Sequence, residues 1–526
     1  MLKKIFKNLI EYVLVFILLT VLCFYINRSL VMKALYMDDL YHWSWFRGLN
    51  LFDFAFKFYE TSRYRPIFES IQYLIYVIAD TEPMRILLVN KVYNSIIALF
   101  IYHFIKRLNA GRIIALAFSG LYIIAHFSYY QIGQGIGSLE SSALFFSLIV
   151  LFLCLKLSGV IVKKSDDGNV ITARKKDLII NTIFIFIMYL IVAFTHERFL
   201  GLALPITIAI LLSKDGDKCV IDKRKIISIF VFVLEILFIC YIRYIAIGKV
   251  MPAGTGGTYV EKTFNLVECL VFCFQQVAFI FGVNIGPEHL VGIEFVNVNR
   301  NIKILTFVSL ALIILVILSY VVVRIKKIVS NYRNKRNDNE RNYLAGDLLF
   351  LSFIAMCIGA SSVTIRIEMR FVYVSFTAAI IYLAYMCSVI VEIIGKKFVK
   401  YLLTVVVIAI VAFRVPVEIE YRSKYDKIYC FIDLKKVNSI YDCTIGKYGL
   451  DDILHNKKIY VINQYYDMSK FYAEYLLKIY DKNNVGNKMI LVDSIADIPL
   501  QDIGNNTIIL YEDLENFAYK QLSYEQ

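Results

Sequence analysis

Apolar residues run in long blocks separated by short polar loops, a spacing set by bilayer thickness. A helix crossing a bilayer needs about 20 mostly apolar residues. Eleven segments fit: 9–27, 86–105, 113–130, 141–155, 178–195, 199–212, 226–247, 303–323, 345–364, 371–392 and 399–415. The sixth is short and contains Pro205. Two more apolar stretches, 66–79 and 266–283, would each reverse the topology if they crossed. They are expected as interfacial or re-entrant helices roofing a cavity; the alternative is a tight hairpin of 66–79 with 86–105. The first run is too long for a signal peptide and lacks a small-residue cleavage site, so it is expected to stay as a span.

Beyond 415 the pattern changes. KIYVINQ (458–464), KMILVD (488–493) and NTIILYE (506–512) have the look of short buried strands. SKFYAEYLLKIY (469–480) places apolar residues at helical spacing between the first two. The expected architecture is mainly α: a polytopic bundle over 1–415 and a small α/β domain over 416–526.

Charge then orients the bundle. Lys3, Lys4 and Lys7 precede the first span, and every second loop afterwards is rich in Lys or Arg, whereas the loops at 131–140, 196–198 and 366–370 are short. Cytoplasmic loops carry that bias, so the N-terminus is expected inside and the C-terminal domain outside the cell membrane. Hydrophobic residues are 59% of the 526 and charged residues 19%, with a formal net charge of +14. A basic excess often marks nucleic-acid binding; here it sits between spans and marks topology, so no nucleic-acid partner is expected. Ten Cys include no CxxC pair, which leaves no zinc or redox signature. A disulfide between Cys430 and Cys443 stays open.

The chemistry-bearing residues fall in the outer loops. Asp38 and Asp39 follow the first span. Adjacent carboxylates repel, which raises the pKa of one unless a cation or hydrogen bonds compensate, and such a group can act as a general base. The plainer alternative is a pair of solvated acids capping a helix that begins near Leu40. Arg63 and Arg65 precede Pro66, a residue favoured at the first helical position. Guanidinium groups beside a helix start suit a phosphate, or else snorkel to lipid headgroups. Glu140 closes a loop containing Gly133, Gly135 and Gly137, whose lack of side chains lets a ligand approach the backbone. Thr195-His196-Glu197-Arg198 packs polar groups into a tight turn, where either a Glu197–Arg198 pairing or ligand contact accounts for them. Arg366 and Arg370 lie four apart and on a helix would share a face, for a bound phosphate or in a pair with Glu368. Glu235 and Arg243 sit in the seventh span without an assigned role.

The order of Asp38-Asp39, then Arg65-Pro66-Ile67-Phe68, then a span closed by Lys106-Arg107 resembles the GT-C-type integral membrane glycosyltransferases, which include the lipid A aminoarabinose transferase and the protein O-mannosyltransferases. Glu140 and His196-Glu197-Arg198 fall where such enzymes carry a further acid and a polar outer turn. The resemblance covers about residues 1–215 in motif and the whole chain in topology. It implies transfer of a sugar, with inversion, from a polyprenyl-phosphate-linked donor to an envelope glycan, lipid or protein. Asp38 or Asp39 would then be the base, Glu140 a further acid, and Arg65 a phosphate ligand. Arg63, His196, Glu197, Arg366 and Arg370 are candidates for donor binding. The chain departs from the family in having Asp-Asp for the commoner Asp-Glu, and Arg-Tyr-Arg-Pro for Lys-Pro-Pro, which bears on the acceptor. No metal or other cofactor is expected. The alternatives are a transporter or flippase, or a polymerase or ligase, of lipid-linked saccharides.

Overall fold

The computed structural model describes residues 2–57, 63–161, 163–164, 170–171, 175–213, 222–248, 265–286, 291–334, 340–363, 368–424, 428–462, 470–481, 486, 489–504 and 506–522. The fold is mainly helical. Among the described residues nine helices are long and apolar enough to cross a membrane, or ten if one bent pair counts as a single span. This makes the chain a multi-pass membrane protein. The Met369–Ile394 helix is the hub, with 89% of its apolar window buried, whereas Phe6–Ile26 and Lys223–Ile247 bury only 11% and 17% and form the periphery.

Two expected spans differ from simple helices. Residues 199–212 are not one span-length helix. A 3-10 run, Glu197–Leu202, leads into an α-helix, Ala203–Leu212. Pro205 lies in the first turn of that helix, where a missing N–H costs nothing. The 3-10 rise of about 2.0 Å stretches the segment to about 27 Å in total. Its far end is fixed against the Lys223–Ile247 helix by Lys225 Nζ, which donates to the Leu211 carbonyl at 3.0 Å, and Arg243 Nη2 holds the end of the preceding helix, Lys175–Thr195, at the Ala193 carbonyl at 2.8 Å.

The second is the segment 113–130, which breaks at Ala125 into Arg112–Ile124 and His126–Gly133, bent by 54°. A break inside a bundle frees carbonyls on one side and N–H groups on the other. Here both are met by the last long helix, Lys397–Ser423. Arg422 Nη1 donates to the carbonyls of Ile123, Ile124 and Ala125, and Glu418 Oε2 accepts the His126 N–H at 3.0 Å. The stretches 66–79 and 266–283 are short apolar helices, Pro66–Ala79 and Leu266–Ile280.

The Lys397–Ser423 helix runs through Pro416, so the expected boundary at 415 falls inside it. The unit that follows begins with a helix, Tyr429–Cys443, absent from the sequence-based expectation. The strands Lys458–Ile462, Met489–Val492 and Thr507–Asp513 are parallel, with the first in the middle, and Ala518–Gln521 adds an antiparallel edge to the third. A buried Lys436–Glu512 ion pair ties the helix to the sheet. The unit sits on the segment after the first span: Lys33 Nζ meets Asp442 Oδ1 at 2.6 Å, and Asn438 Nδ2 donates to the Val31 carbonyl at 2.8 Å. Cys430 and Cys443 are free thiols near opposite ends of the Tyr429–Cys443 helix. Thirteen residues of helical rise separate them by about 20 Å, far beyond disulfide reach.

Candidate functional site

One end of the bundle gathers most of the sequence-selected residues. The Met37–Phe46 helix carries both acids into different surroundings. Asp38 is exposed, with no hydrogen bond or ion pair among the described residues. Asp39 is 1% exposed and accepts the backbone N–H groups of Gly135 at 2.7 Å and Ile136 at 2.6 Å, one on each oxygen. Burial outweighs these two bonds and, with Asp38 alongside, pushes the Asp39 carboxyl up from 3.8 to about 6. Asp39 is therefore a clamp on the 133–137 loop, and Asp38 is the carboxylate left exposed.

The loop's glycines serve that clamp. A Cβ on Gly135 would stand 3.0 Å from Asp39 Oδ1, and one on Gly137 only 2.0 Å from the Gln131 carbonyl. The close approach expected for a ligand is made by the protein's own atoms. Tyr36 Oη, Asn90 Nδ2 and the Gln72–Ser138 pair hold the same loop at Gly133, at Ile132 and Gln134, and at its exit. The hydroxyl of Tyr76 donates to the Asp39 carbonyl at 2.9 Å and fixes the acid-bearing helix on Pro66–Ala79.

Beside the acids lies a buried network of arginines and glutamates. Arg65 immediately precedes the Pro66–Ala79 helix, and its Nε and Nη2 donate to the two oxygens of Glu197 at 2.7 and 2.5 Å. The pair is 7% and 9% exposed at its side chains. Burial disfavours charge on both, but each overrides that in the other: Arg65 is raised and Glu197 held well below the usual carboxylate range. Arg198 Nη1 lies 3.1 Å from Glu140 Oε1, and its guanidinium stacks on Phe371 at 4.0 Å. His196 completes this group. Burial, opposed by Glu140 and helped by Arg65 and Arg198, lowers its pKa to about 4, so it is neutral at pH 7. Its Nδ1 accepts the Arg198 N–H at 3.2 Å, which leaves the proton on Nε2, 3.3 Å from Glu140 Oε1.

Arg370 pairs with Glu368 and faces the rings of Tyr130 and Phe371. The helix there begins at Met369. Arg366 itself lies outside the described residues. Burial and the Arg65 charge hold Arg63 down at about 10 against the pull of Glu197, and Arg370 and Arg198 add to the repulsion. Thus Arg63, Arg65, Arg198 and Arg370 form one electrostatic cluster against Glu140, Glu197 and Glu368. Glu69 joins it to the acids. It lies 3.6 Å from His42 Nδ1, and its charge reaches Arg65 as well. Burial works against charge on His42, yet Glu69 with Asp38 and Asp39 raises its pKa.

Sequence reasoning missed two sets. Phe371, which stacks on the Arg198 guanidinium, carried no signal, whereas the alternative pairing of Arg370 with Glu368 is the one formed; the second set lies on the last long helix. Arg414, Glu418 and Arg422 recur every four residues, a helical stripe hidden by placing the domain boundary at 415. No protein-family model and no curated protein matches the chain. Among the described residues, no group of three or more His, Cys, Asp or Glu is placed to hold a metal ion.

Proposed function

We propose that the chain is a membrane glycosyltransferase that moves a sugar from a polyprenyl-phosphate-linked donor to an acceptor hydroxyl, inverting the anomeric carbon. What supports this reading is the juxtaposition of an exposed carboxylate, Asp38, with a buried network in which four arginines outnumber three glutamates. In it, the acceptor oxygen bonds the anomeric carbon as its proton passes to Asp38. The bond from that carbon to the phosphate oxygen breaks, and the departing lipid phosphate takes the electron pair. Arginines fixed in advance stabilise the charge as it develops. Asp39 acts on position, by holding the loop against the helix that carries Asp38. Glu140, His196 and Glu197 act on the arginines, keeping Arg65 and Arg198 extended and charged.

The same reading sets the site on the extracytoplasmic face. Eleven crossings are counted if both the bent pair and the 197–212 segment traverse. At about 27 Å the latter nearly matches a hydrocarbon core of about 30 Å. The N-terminus then lies in the cytoplasm and the C-terminal unit outside, over the acids. Among the described residues, the broken helix at Ala125 is a feature that favours a transporter.

Purified protein given a polyprenyl-phosphate-linked sugar separates these readings. Transfer by the wild type, lost by at least about a hundredfold in Asp38→Asn at unchanged thermal stability, supports the base assignment. Transfer undiminished in that variant overturns it. Movement of the lipid across vesicles without transfer would favour transport.

A further inference from the structure

The exposed Asp38 directly follows a strained residue. Met37 has a φ of 49°, in the left-handed region where an L side chain crowds its own backbone. Such a conformation persists only where the surrounding structure fixes the chain on both sides. Here the two sides are fixed by different parts of the molecule.

Downstream, Asp39 accepts the Gly135 and Ile136 N–H groups and its carbonyl accepts from Tyr76, while the Tyr36 hydroxyl reaches the same loop at Gly133. Upstream, the chain is fastened at Lys33 by the C-terminal unit. Asn438 Oδ1 accepts the Lys33 N–H at 2.8 Å, and Asn438 Nδ2 donates to the Val31 carbonyl at 2.8 Å. One side-chain amide thus gives this irregular segment the pairing that a neighbouring strand would supply. The Tyr480 hydroxyl donates to the Lys33 carbonyl, and Lys33 Nζ meets Asp442 Oδ1 at 2.6 Å. Asn438 and Asp442 lie one turn apart on Tyr429–Cys443. The N–H, carbonyl and ammonium of one residue are therefore all taken by side chains that follow it by 405 to 447 positions.

The same unit also meets the acid-bearing helix further along. Phe471, on the short helix Lys470–Tyr475, packs against Tyr41 with ring centroids 5.9 Å apart, and Arg47 Nη2 donates to the Asp481 carbonyl at 3.3 Å. Tyr41 lies three residues after Asp38, on the same helical face. The chain arrives at Met37 from a direction set by the C-terminal unit and leaves in one set by the 133–137 loop. The left-handed turn reconciles the two, and Asp38 is the next residue.

We infer that the C-terminal unit aligns the base: Asn438 and Tyr480 are positioning residues that, by holding Lys33, keep the turn at Met37 and with it the direction of the Asp38 carboxylate. This role rests on the assignment of Asp38 as base in the proposed transfer. Both residues act through the backbone of 33–38, so the arginines that would hold the donor are left as they are.

The chain has two tryptophans, Trp43 and Trp45, and both lie on the Met37–Phe46 helix. Full-length protein labelled with 5-fluorotryptophan therefore reports this helix alone by fluorine NMR, whether or not it transfers sugar. Asn438→Ala and Tyr480→Phe are made separately, so the outcome does not hang on one variant's folding. Each is expected to move both fluorine resonances, to lower kcat by about tenfold, and to leave KM for the polyprenyl-phosphate-linked sugar unchanged. A tenfold loss is the scale of one left-handed backbone cost. In a Met37→Gly background that cost is absent, and each substitution is expected to lower kcat by less than about threefold. Resonances that stay in place in both variants overturn the proposal even in a protein that transfers sugar. Undiminished kcat overturns it too, as does a loss equally large in the Met37→Gly background. A wild type inert toward the donor, with the resonances moving in the variants, instead overturns the transfer reading and the base-aligning role with it, and supports the tie between the C-terminal unit and the helix.

Discussion

Replacing Asp39 by Asn removes the titrating proton; it also sets an amide NH2 against one of the two backbone N–H donors, a cost that is the same at every pH. In the folded protein the carboxyl titrates near pH 6 instead of 3.8, because burial opposes its charge more than the Gly135 and Ile136 N–H groups favour it. The shift corresponds to about 3 kcal/mol. Its sign follows from linkage. A folded-state pKa above the unfolded one means that folding favours the protonated acid, so this stabilisation is complete below pH 3.8 and is lost as pH rises through 6. Asp39→Asn is neutral throughout and has no such slope. The stability of the wild type relative to the variant should therefore fall by about 3 kcal/mol between pH 3 and pH 8. For a chain of this length that is about 3–6 °C of melting temperature, scaling from smaller domains. Thermal unfolding of both proteins in one detergent across that range measures it. A gap that stays flat, or that widens in favour of the wild type as pH rises, would refute the reasoning and mean that the two backbone bonds outweigh burial.

Other outcomes follow from the same geometry. Arg65→Gln strands Glu197 in a buried site and should cost about 3–5 kcal/mol, read as a lower melting temperature. Arg65→Met combined with Glu197→Leu should recover most of that stability while donor-dependent transfer stays lost, so stability and activity part company. Gly137→Ala drives a Cβ to 2.0 Å from the Gln131 carbonyl and should cost about 3 kcal/mol, with accelerated proteolysis of the 131–138 loop as the readout. Arg422→Gln weakens the cap on the carbonyls of Ile123 to Ala125 and should cost about 1.5–3 kcal/mol, measured as faster amide exchange around the break.

Much of the frame was legible in the chain. Nine of the eleven expected spans coincide with long apolar helices, because a bilayer demands internal backbone hydrogen bonding over a fixed length. The short helices at 66–79 and 266–280 were also legible, since crossing there would have violated the charge bias. The three strands near the C-terminus followed from their apolar runs, whereas their parallel pairing came from the structure. The Tyr429–Cys443 helix did not, because its polar face hides the few residues it buries.

What one dimension does not contain is which charges meet. The sequence by itself determined that most acids and arginines would fall in the loops, because charge within the hydrocarbon core is costly. Only the tertiary structure decided that Asp39 is spent on the 133–137 loop while Asp38 stays open, since burial of one neighbour and not the other depends on Gly135 and Ile136 arriving from 96 and 97 residues away. It also decided that Arg65 answers Glu197 across 132 residues, and that Arg422 and Glu418 bridge the break at Ala125. Buried charges must be paired wherever the fold brings them together, and spacing along the chain carries no record of those partners.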